Sequence, residues 1–462
     1  MSAVRLARGA AAARPPAPVR LLHLGLGNFF RAHQAFYTER AHDAGDWGYA
    51  AFTGRSGGVA DTLNEQDGLY TLVTRAADGD RYQVIASLSR ARAAADHEAW
   101  LEYFCAPGLA AVTITVTEAG YLRRRDGGLD VDRPEVRADL DALRGDLTAA
   151  VRTAPARLVA GLAARRAADA GPLAIVPCDN VPGNGAIVER VVRDLAELVD
   201  GGLTEWLEDS VAVVTTMVDR ITPRTAPEDV TAVREHTGYE DAAPVVTEPF
   251  HEWVLSGVFP AGRPRWEEAG ATFTDDVLPY ERRKLWMLNG AHSLLAYAGT
   301  IRGHTTVAEA VGDHSCRGWV AQWWSEAAPH LDQPAGDVAA YEAALLERFA
   351  NARMHDRLDR IAADGSQKLP IRILPVLRAE RGAGRLPEGA TRVLAAWVCH
   401  LRGLGAPISD ARADDVLPLT GGPLAEAVPS ILGTLDPALA EDGALVSLVS
   451  DQAEQLGRSS RR

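Results

Sequence analysis

The apolar residues of this chain follow two patterns that change near its middle. In the first half, short β-branched runs alternate with amphipathic stretches. VRLLHLGLGNFFRAHQAFYTERAHDAG, from Val19, predicts a buried strand, a glycine turn and a helix. WGYAAFTGRSGG (47–58) predicts a second strand with a glycine-rich end, and YQVIASLSR (82–90) a third. LAAVTITVTEAGY (109–121) has the continuous apolar character of a strand covered on both faces. Helical periodicity follows over 137–170, then strand and loop in GPLAIVPCDNVPGNG (171–185), then the helix of VERVVRDLAELV. SVAVVTTMVDRITP (210–223) closes the series. Strands separated by helices of this length predict a parallel, doubly wound sheet.

After Pro223 the pattern changes. Prolines 223, 227, 244 and 249 mark a connector. Beyond it, Ala/Leu/Arg/Glu-rich helical stretches such as VAQWWSEAAPHL, YEAALLERFANARM and ATRVLAAWVCHLRGLG take over. The expected organisation is a poorly ordered tail over 1–18, an α/β domain over 19–240 and a mostly α-helical domain over 241–462.

Composition narrows the partners rather than the fold. At 462 residues the chain exceeds one ordinary core. Its 62 acidic and 48 basic residues leave a net charge of −14, which argues against a general nucleic-acid or anionic-membrane partner. The four cysteines are far apart and form no CxxC pair, so neither a zinc framework nor a disulfide scaffold is expected. No apolar run approaches the roughly 20 residues that span a bilayer. The Ala/Arg/Pro-rich start lacks the apolar core of a secretory signal. A cytoplasmic location is the expectation.

The first glycine turn carries the first candidate chemistry. In LHLGLGNFF, Gly25 and Gly27 match the first two glycines of GxGxxG, and Asn28, Phe29 and Phe30 follow, with Phe30 in the third glycine's place. Gly25 allows the tight turn and Gly27 lets backbone approach a pyrophosphate. With a strand before it and a helix after it, this reads as a Rossmann-type dinucleotide site. The second strand ends Thr53-Gly54-Arg55-Ser56, with no acid for the ribose of NAD. Arg55 and Ser56 suit a 2′-phosphate, and equally a solvated arginine on a glycine loop, so NAD and NADP both stay open.

KLWMLNGAH (284–292) carries the second. In a helix of about 100° per residue, Lys284, Asn289 and His292 share an arc of roughly 140°, and Glu281 lies inside it. A lysine desolvated beside Trp286 serves as a base, the amide of Asn289 serves as an oxyanion donor, and Glu281 can pass protons to solvent. Tyr280 and Lys284 also form YxxxK, but in the second domain and after a different glycine pattern, so we read that pair as coincidence.

The ordered motifs HLGLGNFFRAHQAFY, QDGLYTLV, TVTEAGY, PCDNVPGNG, MVDRITP, TEPFHEWV, RKLWMLNGAHS and DGSQKLPIR resemble the polyol-specific long-chain dehydrogenases, the mannitol dehydrogenase family, over nearly the whole chain. The resemblance implies a zinc-independent, NAD(P)-dependent enzyme, with no metal, that leans towards a monomer. Its substrates would be a sugar alcohol and a 2-ketose, such as D-mannitol and D-fructose, or alternatively a keto-hexuronate, fructuronate to mannonate. It implies Lys284 as general base, Asn180 and Asn289 as the oxyanion hole, His292 as substrate-orienting and Glu281 as proton relay. It further implies Asp219, Arg360 and Lys368 in recognition of substrate hydroxyls.

Overall fold

A computed structural model describes residues 3–54, 57–124 and 126–459. The chain divides into two compact units, Met1–Leu278 and Pro279–Arg462. In the first unit six strands form one sheet: β1 (Val19–Leu24), β2 (Gly48–Phe52), β3 (Leu88–Arg92), β4 (Ala111–Ile114), β5 (Leu173–Pro177) and β6 (Val211–Val213). Their order is β3-β2-β1-β4-β5-β6, and every neighbouring pair is parallel. This is the doubly wound dinucleotide-binding order, which reverses between β1 and β4.

Alternation along the strands splits the core in two. Leu22, Leu24, Val112, Ile114 and Ile175 face one layer, with the helices Ala154–Ala167 and Asn184–Val199. Leu21, Ala111, Ala174 and Val176 face the other, with Phe30, Phe36, Trp253 and Trp266.

Arg165 fastens the first layer. It is fully buried, and its guanidinium donates to the carbonyls of Phe104, Ala106, Leu109, Ala170, Gly171 and Pro172 at 2.7–3.3 Å. Those carbonyls belong to the turns that lead into β4 and β5.

Several expected elements differ. The single strand expected at 82–90 is two: Gly79–Ile85 pairs antiparallel with Tyr70–Ala76, and β3 begins only at Leu88. The Asp78-Gly79 turn signal lies just ahead of that hairpin strand. The run 210–223 also divides, because Thr215–Asp219 leaves the main sheet to pair antiparallel with Glu252–Ser256.

The connector contains the helix Pro227–Thr237 and the strand Val245–Thr247, which pairs parallel with Tyr70–Ala76. These pairings hold residues 241–278 in the first unit, so the division falls at Leu278 rather than at 240. Instead of a loose tail over 1–18, Val4–Arg5 pairs parallel with Tyr239–Glu240, and Leu6 is fully buried. Arg8 anchors the segment by donating to the carbonyls of Asp67, Ala86 and Leu88.

In the second unit, helix Glu388–Leu401 is almost wholly buried and packs against His314–Ala327 and Gly443–Ser459. A Cβ at Gly389 would lie 2.8 Å from the Trp323 backbone, so glycine sets that close approach. Among the described residues no helix is long and apolar enough to cross a membrane.

Candidate active site

The glycine turn follows β1 at the switch point. Gly25 has φ +115°, and a Cβ there would lie 2.2 Å from the Thr115 carbonyl oxygen, so both conformation and space demand glycine. Gly27 is different. A Cβ there would meet nothing closer than the Gly25 carbonyl at 3.6 Å, so no neighbour in the protein requires its smallness. Its missing side chain faces a cavity of about 490 Å³ lined by Gly25, Asn28, Phe29, Thr115 and Asn180. The free backbone at Gly27 fits the close approach of a dinucleotide phosphate. Gly27→Ala is expected to fold with unchanged thermal stability and to lose dinucleotide affinity by about tenfold or more, measured by calorimetry.

Phe30, in the third glycine's place, is fully buried. Its ring stacks on His23 at 3.7 Å between centroids and meets Tyr49 edge-on. The His23 imidazole bridges Thr113 Oγ1 and Thr115 Oγ1, at 2.8 and 2.9 Å. Thr115 Oγ1 donates onward to the Gly25 carbonyl, and Thr113 Oγ1 lies within reach of the Leu22 carbonyl. The helix expected after the turn breaks at His33 into Asn28–Ala32 and Gln34–Arg40. His33 is also fully buried, with Nε2 on the Glu252 carbonyl at 2.9 Å.

Burial lowers the pKa of both imidazoles to about 3. In the unfolded chain they titrate near 6.5, so the unfolded state binds more protons below that pH and acid favours unfolding. Each ring is expected to remove about 1.4 kcal/mol of stability per pH unit between those values. The urea midpoint should therefore fall from pH 7 to pH 5; a flat profile would contradict this.

The loop after β5 presents Asn180, which is exposed and lines the same cavity. Its neighbours hold it in place. Asp179 is buried, accepts from the Tyr121 hydroxyl and from the Val181 N–H, and has its pKa raised by burial. Asn184 is fully buried and exchanges hydrogen bonds with Thr216. Gly183 takes φ +63°, and a Cβ on Gly185 would lie 2.3 Å from Thr215 Oγ1. These demands account for Gly183, Asn184 and Gly185 of the loop. Asp219 is buried at the end of its strand, opposite Glu252, and is not among the residues lining this cavity. Arg55 and Ser56 lie outside the described residues.

In the second unit, Glu281, Lys284, Asn289 and His292 lie along one continuous helical segment, with Glu281 and Lys284 buried. The regular 100° spacing does not hold there. Lys284–Asn289 and Leu295–Gly299 are π-helical, with each turn closed over one more residue. The wider turn swings Asn289, five residues on, round towards the side of Lys284.

Side chains from elsewhere catch the carbonyls of this segment. Trp323 Nε1 donates to the Trp286 carbonyl at 2.8 Å, and Trp324 Nε1 to the Met287 carbonyl at 2.9 Å. Arg372 Nη1 reaches the Asn289 carbonyl at 3.4 Å and Ser293 Oγ at 3.2 Å. A Cβ on Gly290 would lie 2.7 Å from Trp323 Nε1, which explains the glycine of NGAH. In the sequence the Trp pair has only the pattern of a helix, and no local motif marks Arg372. Trp324→Phe is expected to cost about 1–3 kcal/mol by orphaning a carbonyl. It should lower kcat more than it raises KM, since it disturbs the segment that carries Lys284.

His292 has its Nε2 4.0 Å from Asp356 Oδ2 and packs on Phe349. Arg360 is exposed at the short helix Leu358–Ile361. Lys368 donates from Nζ to the carbonyls of Ile361 and Ala363 at 3.3 and 2.6 Å, which leaves one of its three N–H groups. Burial, and then the charge of Arg372, lower its pKa.

Comparison with known proteins agrees with this architecture. The profile of the mannitol dehydrogenase Rossmann domain matches residues 19–268, and that of the mannitol dehydrogenase C-terminal domain matches 276–416. The D-mannonate oxidoreductase of Escherichia coli (strain K12) is 36% identical over 395 residues, covering 83% of this chain and 80% of that protein. The D-arabinitol 4-dehydrogenase of Ralstonia nicotianae is 39% identical over 391 residues, covering 82% of each. The structure of Pseudomonas fluorescens mannitol 2-dehydrogenase in ternary complex with NAD and D-mannitol superposes with a TM-score of 0.81. It is 30% identical, with 100% of this chain and 96% of that one covered. With both domain profiles matched in order, the chain belongs to the mannitol dehydrogenase family.

Proposed function

We propose that this chain is an NAD(P)-dependent secondary-alcohol dehydrogenase of the mannitol 2-dehydrogenase type, interconverting a sugar alcohol and a 2-ketose, D-mannitol and D-fructose. The observation that carries the reading is a buried Lys284 on a π-helical turn whose carbonyls are held by Trp323, Trp324 and Arg372. Gly25, Gly27 and Asn28 would hold a nicotinamide coenzyme at the cavity they line, and it would supply the acceptor for a hydride from the carbinol carbon. Lys284 takes the hydroxyl proton, and Glu281 relays it towards solvent. The amides of Asn180 and Asn289 donate to the oxygen, which stabilises it as negative charge develops. His292 orients the substrate, and Asp219, Arg360 and Lys368 recognise its remaining hydroxyls. In the reducing direction the same groups return the proton.

Because a lysine supplies the base, EDTA is expected to leave turnover unchanged, and inhibition would contradict the assignment. We read the protein as a cytoplasmic monomer, to be checked by sedimentation.

A second reading is reduction of a keto-hexuronate, fructuronate to mannonate. It is favoured by the half-buried Lys368 and Arg372 within the DGSQKLPIR segment, since a carboxylate needs a cation. A panel of D-mannitol, D-sorbitol, D-arabinitol and D-mannonate, each with NAD and NADP, separates the two. Turnover of mannonate alone would replace the first reading by the second.

A further inference from the structure

A second cavity, of about 600 Å³, opens at the carboxyl ends of β1, β2 and β4, where Leu24, Gly54 and Val116 form part of its wall. Across it stands the start of the helix Ala154–Ala167, with Arg152, the capping Thr153 and Arg157. Arg157 is only 3% exposed. Its guanidinium rests on the rings of Trp100 and Phe52, 4.7 and 5.5 Å from their centroids. Among the described residues, neither Nε nor Nη2 has a hydrogen-bond partner. Burial lowers its pKa to about 10, with no carboxylate acting in the opposite sense.

The other charges on the wall do not compensate for it. Arg133 is paired with Asp130 and Glu135, so the Arg133–Glu135 pair adds no net charge. Arg152 is exposed beside the cap, and no ion pair engages it among the described residues. The buried Asp139 carboxylate is taken up by the backbone N–H groups of Arg152 and Thr153 at the helix start, which leaves the two guanidinium groups without an ion-pair partner among the described residues. A desolvated cation without a counter-charge is costly, and a bound anion would offset that cost.

The position says which anion. In sheets of this order the hydroxyls of the adenosine ribose lie at the end of β2. Here that end reads Thr53-Gly54-Arg55-Ser56-Gly57-Gly58, with no acid to accept from a ribose diol, and Gly54 belongs to the cavity wall. We propose that this cavity seats the 2′-phosphate of NADP(H), with Arg152 and Arg157 as its cationic partners. The inference rests on the dehydrogenase reading and adds a coenzyme preference to it. Guanidinium groups suit the task because their planar donors meet phosphate oxygens in charge-assisted hydrogen bonds.

The test is parallel calorimetric titration of the intact protein with 2′,5′-ADP and with ADP. The 2′,5′ isomer is expected to bind about tenfold tighter or better. Arg157→Met, which keeps the apolar stem against Trp100, and Arg152→Gln, on an exposed side chain, should each collapse that difference. Thermal melting verifies that each variant is folded, and Arg152→Gln leaves the core untouched should the other fail. Equal affinities, or a preference that survives both substitutions, would overturn the proposal. Binding of NADH without any preference for 2′,5′-ADP removes this inference and leaves the dehydrogenase reading standing. Failure to bind NADH and NADPH alike removes both.

Discussion

Lys284→Ala is expected to lower kcat by about 10²–10⁴-fold, the contribution typical of a positioned acid–base group. Substrate affinity should change much less, because a general base acts on a proton that moves only in the transition state. Lys284→Met is the companion variant, since it keeps a chain of similar length in a buried position. Retention of parental kcat in both variants would remove Lys284 as the base. Loss of activity in both, with an unchanged melting temperature, separates the chemical role from a packing role.

Arg165→Met is expected to cost on the order of 4 kcal/mol or more, the largest stability loss of any single substitution considered for this chain. The guanidinium is fully buried and bonds to six backbone carbonyls without a carboxylate. A hydrogen bond to a charged group is worth about 1.5–3 kcal/mol, and buried acceptors left unpaired add their desolvation cost. Arg165→Lys should be nearly as damaging, because one ammonium cannot reach acceptors spread over the two turns. Urea unfolding of each variant decides the matter, and a loss under about 1 kcal/mol would mean that the carbonyls find other partners or water.

Much of the fold was legible because strand and helix leave different periods in a chain. The runs at β1, β2, β4 and β5 are short and largely apolar, as strands covered on both faces are, and the structure places all four inside the sheet. The edges were harder to read. Val211–Val213 and Thr215–Asp219 are one apolar run in the sequence, yet they belong to different sheets. Likewise Val4–Arg5 gains its partner from Tyr239–Glu240, at the far end of the same unit. Local composition carries no record of pairings over such distances.

The site divides along the same line. Asn180 of the PCDN loop came from the family resemblance, whereas the glycine turn and the lysine helix could be named from spacing alone, since each is a local motif whose residue types state their chemistry. That Gly25 is required by Thr115 while Gly27 is free of its protein neighbours could not, because each depends on what approaches from another strand. The π-helical turn was also hidden. Its extra residue per turn is stabilised by two indole N–H groups from a separate helix, and helical periodicity in the sequence assumes the regular spacing.

By itself, then, the sequence determined the strand–helix alternation of the first half, the helical character of the second and the kind of chemistry its local motifs carry, because these follow from local periodicity and side-chain type. Only the tertiary structure decided which glycines are sterically forced, what holds the lysine segment in its widened turn, and that Arg157 is a buried cation beside a cavity. Each of these depends on atoms brought together from distant parts of the chain.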